Sequence, residues 1–453
     1  MLQGKSLDPA MRAHFSNAAY GVLDYVAYPA GMLIVAPIAL RNLGTAHYGV
    51  WMIANAALSV GSIMASGFGD ANIRYVSMAR CGDNKVKLLG AVLSTMGIHI
   101  ALGVTIALIA WTLSPAAAVH IALSNAALRI ECLWSLRIAS LLILARAVET
   151  VCVSTQRAFE RYGAAVRFSV IARLLALAAA AVLPLAKQGV VSVMIATAIF
   201  ITASLGMQLV QLKRLLGAHS LWPSFDREAT PSLLGFGLFS WIQAVSGILF
   251  GQVDRLITGV YLGATAVASY ALCAQMAQPI YGIAASGLHF LFPYVSARVT
   301  EGSVKPLRRT VLVAFAANSL LVVVCTAMLL ALGMRLLTLW CGATIARAGG
   351  SVLPLLVWST AAQALSVTGS YTMLALGRVR LVTFLNLAGG AAMLLAARWL
   401  LPKYGMQGMA VARLFCGPLT LLVYIPLAAM LFRKTRSSSR TGAVVAVCEE
   451  ISQ

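Results

Sequence analysis

The sequence predicts an all-α integral membrane protein: about twelve transmembrane helices in two pseudo-symmetric six-helix bundles around a central cavity. Three observations predict it. Hydrophobic residues make up 60% of the 453 and charged residues only 10%, whereas a water-soluble domain typically carries about 25% charge. Apolar runs of about twenty residues recur along the whole chain, split by short segments that hold most of the Lys and Arg. Matching residues also recur at one fixed offset in the two halves. The alternating, strand-length segments of a membrane barrel are absent from the sequence.

The spans come in hairpins that each return to a basic segment. Spans 17–40 and 48–70 follow Lys5 and Arg12 and end before Arg74, Arg80, Lys85 and Lys87. The first is long and has no small-residue cleavage site, so it is expected to stay as a span. Pro29 and Pro37 are expected to interrupt it. Spans 88–113 and 134–156 end at Arg157, Arg161 and Arg167. The fourth is the least typical, since Arg137, Arg146 and Glu149 fall inside it, and residues 115–132 before it read as an outer loop or interfacial helix. Spans 165–186 and 189–211 lead into 212–231, a cytoplasmic linker at the midpoint holding Lys213, Arg214 and Arg227. Spans 232–256 and 264–292 end before Arg298, Lys305, Arg308 and Arg309; Gly235, Gly237 and Gly247 lighten the seventh for bending or close packing. Spans 310–333 and 351–375 end at Arg378 and Arg380, and spans 380–401 and 405–432 at Arg433, Lys434, Arg436 and Arg440. The organisation is thus an N-terminal lobe 1–211, the linker, a C-terminal lobe 232–432 and a polar, disordered cytoplasmic tail 433–453. Roughly twenty-two basic residues fall on one side and roughly eight on the other, which places both termini in the cytoplasm of a cell with this protein in its inner membrane.

Net charge is +21 and the isoelectric point about 10.1. In this setting basic loops fix topology and touch anionic headgroups, and no basic run is interleaved with aromatics as nucleic-acid binding requires. The eight cysteines are scattered without a CxxC pair and read as small apolar fillers. The six histidines form no metal-spaced cluster; His99 and His289 read as packed interior residues. No P-loop or Gly-rich nucleotide motif occurs, so neither an enzyme nor a cofactor is expected.

The internal repeat rests on four matches, each 219 positions apart and each at the same place in the topology. They are Leu43-Gly44 with Leu262-Gly263, Gln188-Gly189 with Gln407-Gly408, Tyr75 with Tyr294, and Arg161 with Arg380. Both halves start on the same side, so the repeat is parallel, and two such bundles facing each other suit alternating access.

The segment LRNLGTAHYGVWMIANAALSVGSIMASGFGDANIRY (40–75) resembles the second-span region of bacterial polysaccharide transport proteins. LLGFGLFSWIQAVSGILFGQVDRLITGVYLGATAVASYALCAQMAQPIYG (233–282) is similar to their seventh and eighth spans, and TQRAFERYG (155–163) and LGRVRL (376–381) to loops after their fourth and tenth. The resemblance is to the O-antigen-type oligosaccharide and polysaccharide flippases, in the superfamily that also holds multidrug exporters and lipid II flippases. It implies that the chain turns undecaprenyl-diphosphate-linked oligosaccharide from the cytoplasmic to the periplasmic leaflet for lipopolysaccharide or exopolysaccharide assembly. Implied partners are that lipid-linked substrate, membrane lipids, and a polysaccharide polymerase with glycosyltransferases.

A charged side chain at the bilayer centre costs roughly 2.5–3.5 kcal/mol, so such residues should face the bundle interior. Arg146, Arg173 and Arg413 are candidates for contact with the diphosphate, since a guanidinium offers bidentate donors. Gln243 and Gln275 could line the cavity toward sugar or serve as interhelical glue. Asp24, Glu149 and Asp254 are candidates for a proton- or Na⁺-linked step. Two other readings stay open: Arg146 and Glu149 pair and lock span four, and Asp254 braces span seven. Arg255 and Arg137 read as snorkelling. The competing functions are a multidrug/cation antiporter, which calls for a more acidic and aromatic cavity, and a polytopic membrane enzyme such as a sugar polymerase, which calls for a large periplasmic loop.

Overall fold

With no water in a bilayer core to satisfy backbone groups, a spanning chain must bond within itself, and this chain does so by helix. The structure, a computed structural model, describes residues 9–82, 84–227, 229–288, 291, 294–295 and 304–432. Among them are sixteen helices and no strand. The first lobe holds α1 (Pro9–Leu43), α2 (Thr45–Ala65), α3 (Gly69–Cys81), α4 (Lys85–Ala122), α5 (Ala126–Ala158), α6 (Tyr162–Leu185) and α7 (Val190–Leu216). The second holds α8 (Ala229–Gly251), α9 (Val253–Leu262), α10 (Ala264–Leu288), α11 (Val304–Cys341), α12 (Ala343–Gly349), α13 (Val352–Ala375), α14 (Val379–Leu414), α15 (Cys416–Leu421) and α16 (Tyr424–Phe432).

Seven described stretches are long and apolar enough to cross a membrane; one, Val379–Met430, runs 52 residues and folds back at Gly405 to cross twice. α1, α5, α8 with α9, and α10 make the other crossings, giving twelve. The outside is apolar: Leu320 and Leu395 are each about two-thirds exposed, a cost in water and the normal state in lipid.

Three expectations need correction. Residues 115–132 form no loop or separate interfacial helix: α4 runs on to Ala122 and α5 starts at Ala126, where the Asn125 side chain accepts from Leu128 N at 3.0 Å and caps the helix. Nor do Pro29 and Pro37 interrupt the first span, since α1 is continuous. A helical proline removes a donor and frees the carbonyl four residues back. Pro37 frees Leu33 O, which accepts from Trp340 Nε1 of the second lobe at 2.8 Å; Pro115 frees Trp111 O, which accepts from Ser114 Oγ at 2.7 Å. The linker is also shorter than 212–231, because α7 continues to Leu216. Lys213 and Arg214 suit its C-terminal dipole and Gly217 ends it in the left-handed region at φ 58°. Asp226 N then donates to Ser94 Oγ at 2.9 Å, pinning the linker to α4.

The duplication is visible in the turns. Gly44 before α2 has φ 80° and ψ 165°, and Gly263 before α10 has φ 81° and ψ 175°. Leu123 and Gly342, Glu160 and Gly377, and Lys187 and Gly405 likewise pair with positive φ at corresponding connections. The remaining pair of connections includes residues outside those described.

Association of helices in lipid depends on close packing rather than on the hydrophobic effect, and small residues permit it. A Cβ on Gly49 of α2 would collide with the Ala264 carbonyl of α10. Further along, Gly237 of α8 lies against Phe68, Trp241 Nε1 donates to Met64 O at 2.7 Å, and Ser240 Oγ donates to Asp70 Oδ2 at 3.1 Å. The lobes therefore touch both where α2 begins and where it hands over to α3.

Candidate functional site

In the first lobe, residues 146, 149, 150, 153 and 157 lie on one face of α5. α6 presents Ser169 and Arg173 to that face, and together they line a cavity of about 190 Å³. Arg146 NH1 lies 2.5 Å from Glu149 Oε2. The buried Glu149 also accepts from Ser169 Oγ at 2.5 Å and Ser204 Oγ at 3.3 Å. Gln208 ties this group to the end of the lobe where α5 passes into α6, donating to Ala165 O at 2.8 Å and accepting from Gln156 at 2.5 Å. Arg173 Nε bonds Ser169 O at 3.1 Å. Three guanidinium groups, Arg146, Arg157 and Arg173, thus share the cavity lining with one carboxylate.

Arg146 and Arg173 also line a second cavity of about 250 Å³, walled by Tyr28, Trp51, Asn55, Ser59 and Ser62 among others. These two arginines stand where the cavities meet. Asn55, Ser59 and Ser62 repeat at helical spacing along α2, a polar stripe inside an apolar span that periodicity could have revealed. Arg157 is legible too, about three turns along α5 from Arg146 on the same face, though its place at a helix end points first to topology.

In the second lobe Asp254, fully buried near the start of α9, accepts from Arg413 NH1 at 2.5 Å and from Tyr270 OH at 2.9 Å. The backbone N–H of Arg255 adds a bond at 2.8 Å to its other oxygen. Arg413 and Gln243 line a cavity of about 320 Å³ with Gln278, Gln363 and Asn386. Gln275 sits apart from them, half-buried on α10, with Nε2 3.8 Å from Met52 Sδ of the first lobe. Asp24 falls on α1 where side chains lie outside the described residues.

Two snorkelling expectations divide. Arg137 packs over the rings of Trp111 and Trp134, at 4.8 and 5.3 Å, as an interfacial arginine does. Arg255 instead is buried, with NH1 3.3 Å from Gln252 Oε1, on the helix that packs against α2 and α4 of the first lobe. His99 is a buried packing residue bonded to Ala147 O at 3.0 Å, and His289 lies outside the described residues.

The charges do not follow the duplication. The positions 219 from Arg146 and Glu149 hold Leu365 and Thr368, and those matching Asp254 and Arg413 hold Val35 and Met194. Each lobe has placed its own ions in a shared frame.

Comparison of the sequence with functionally described proteins gives no match. Among solved structures, the chain is similar to an inward-facing multidrug resistance MATE family transporter of the MOP superfamily, with TM-score 0.71 at 14% identity over 91% of this chain and 96% of that one. The lipid II flippase MurJ in an inward closed conformation gives TM-score 0.69 at 12% identity, over 95% and 96%. A eukaryotic MATE transporter gives 0.65 at 17% identity, over 98% and 100%. The family model described as "Polysaccharide biosynthesis protein" matches residues 17–298, well over half of the chain. That match, on a twelve-crossing duplicated fold similar to those transporters, makes this chain a member of the polysaccharide biosynthesis protein family.

Proposed function

We propose that this protein is a flippase that carries an undecaprenyl-diphosphate-linked oligosaccharide from the cytoplasmic to the periplasmic leaflet of the bacterial inner membrane. Family membership supports a membrane protein of polysaccharide assembly, and the fold shared with MOP exporters supports transport by alternating access. The observation that carries the choice of substrate is the joint between the two first-lobe cavities. Arg146 and Arg173 offer paired donors suited to a diphosphate. Asn55, Ser59 and Ser62 beside them offer amide and hydroxyl partners suited to sugar. Arg157, nearer the basic end of α5, gives the phosphates a first station on the way in.

The same geometry weighs against a cationic drug as cargo. Glu149 and Asp254 are each neutralised by an arginine, so neither acid offers a cation an uncompensated charge. Glu149 is the better candidate for a coupled step, because it lines the cavity itself beside its partner, where a ligand phosphate could compete for Arg146, whereas Asp254 lines none of the cavities described. Glycosyltransferases would build the cargo and a polymerase would consume it.

The test is export of surface polysaccharide by variants held at wild-type levels in the membrane. Arg146→Ala and Arg173→Ala should each reduce export at least about tenfold, since a charge-assisted bond is worth roughly 1.5–3 kcal/mol. Arg→Lys at either position should recover only part of it, because the bidentate geometry is lost. Normal export by both alanine variants would remove the site from consideration.

A further inference from the structure

A further cavity, of about 460 Å³, lies outside the site just described. It is a groove between α10 and α11, floored by the buried Ala284, Leu288 and Ala314 and rimmed by the exposed Ile283 and Val313. At one end stand Arg309 and Thr310, with Arg308 next in the chain. Arg308 is also where the apolar stretch of α11 begins, which puts the arginines at headgroup depth and the groove inside the hydrocarbon. From Arg309 to Leu321 the helix rises about 18 Å, close to one leaflet of a hydrocarbon core about 30 Å thick. The amide of Asn318, about three-quarters of the way along, donates to the Ala364 carbonyl at 3.0 Å, and the remaining wall is aliphatic. Gly287 faces the groove without obstruction: a Cβ there would meet nothing within 4 Å.

The geometry points to a binding site for an anionic phospholipid of the arginine-rich leaflet, with its phosphate on Arg309 and one acyl chain along the groove. Charge complementarity selects the occupant. An aliphatic trough one leaflet long with a guanidinium at its polar mouth matches a lipid that carries net negative charge, and a zwitterionic lipid gains less from that mouth. The site owes nothing to the identity of the transported glycan, and transport is not its readout.

The purified full chain in detergent tests it, with melting temperature followed against added dioleoyl phosphatidylglycerol, dioleoyl phosphatidylcholine or inorganic phosphate. Phosphatidylglycerol should stabilise saturably, and the other two should not match it at equal concentration. Arg309→Gln should weaken the apparent affinity about fivefold, the factor expected for one surface arginine. Gly287→Leu should abolish saturation with Arg309 in place, because the side chain fills the groove. Equal stabilisation by phosphatidylcholine would mean annular lipid only, and equal stabilisation by phosphate would mean an ion site without a lipid; either overturns the proposal. So would an unchanged phosphatidylglycerol response in both variants, which are exposed substitutions expected to fold.

Discussion

Asp254 sits where no water reaches, and three separate donors converge on its two oxygens. One of them, Arg413, is itself only 12% exposed at the side chain. Burying such a pair is not strongly stabilising, but breaking it strands a charge. Asp254→Ala should therefore destabilise by about 3–5 kcal/mol, while Asp254→Leu combined with Arg413→Met should recover most of that, both read by thermal unfolding in detergent. A double variant that still transports would fix the pair as a brace; one that folds and fails would return Asp254 to the coupling candidates. The Arg146–Glu149 pair differs in kind, since Arg146 is 28% exposed and its acid, unlike Asp254, itself lines a cavity. The sequence made that pair legible because three residues along a helix is a contact distance. Asp254 and Arg413 stand 159 positions apart, and nothing local announces their meeting.

Among the elements, the proline-bearing helices show how context overrides a local rule. Pro37 should break α1 by removing a bond, and it would if Leu33 O faced hydrocarbon. The indole of Trp340 supplies the missing donor, so the helix stays whole and gains a tie to the other lobe. Trp340→Phe keeps the ring and deletes the N–H. It should cost about 1–3 kcal/mol, toward the lower end because the bond is exposed. Hydrogen exchange should rise in α1 around Leu33 and leave α11 unchanged; no change in α1 would mean that lipid or water already satisfies that carbonyl. A sequence shows the prolines but not the rescuers, which is why two expected breaks are absent while real ones fall at residues 66–68, Gln252 and Gly405.

For the whole molecule, duplication and contact between lobes belong together. Equal turn geometry at Gly44 and Gly263 makes each lobe a copy of one frame, and the frames meet through glycine at Gly49 and Gly237. Alternating access requires that such contacts separate in turn. Cysteines at Asp70 and Ser240, whose side chains approach to 3.1 Å, should form a cross-link that stops transport, and reductant should restore it. Undiminished transport by the oxidised, fully cross-linked protein would exclude a rocking motion at that end. Gly49→Ala should act oppositely, driving the lobes apart where α2 begins; spin-label distances across α2 and α10 would report it as a population shift toward separation.

The amino-acid sequence by itself determined that this chain lives in lipid, crosses about twelve times in hairpins pinned by basic segments, and repeats its six-span unit. Those properties are local: a bilayer demands about twenty apolar residues per crossing and internal bonding of every backbone group, and both demands are written residue by residue. Only the tertiary structure decided which buried charges meet. The rotation of each helix about its axis set Arg146 and Arg173 on a shared wall, tied Asp254 to Arg413, buried Arg255 at the lobe contact and opened the groove beside Arg309. Helix rotation and kinking come from side chains on other helices, distant in the chain, and a pattern read along one segment carries no record of them.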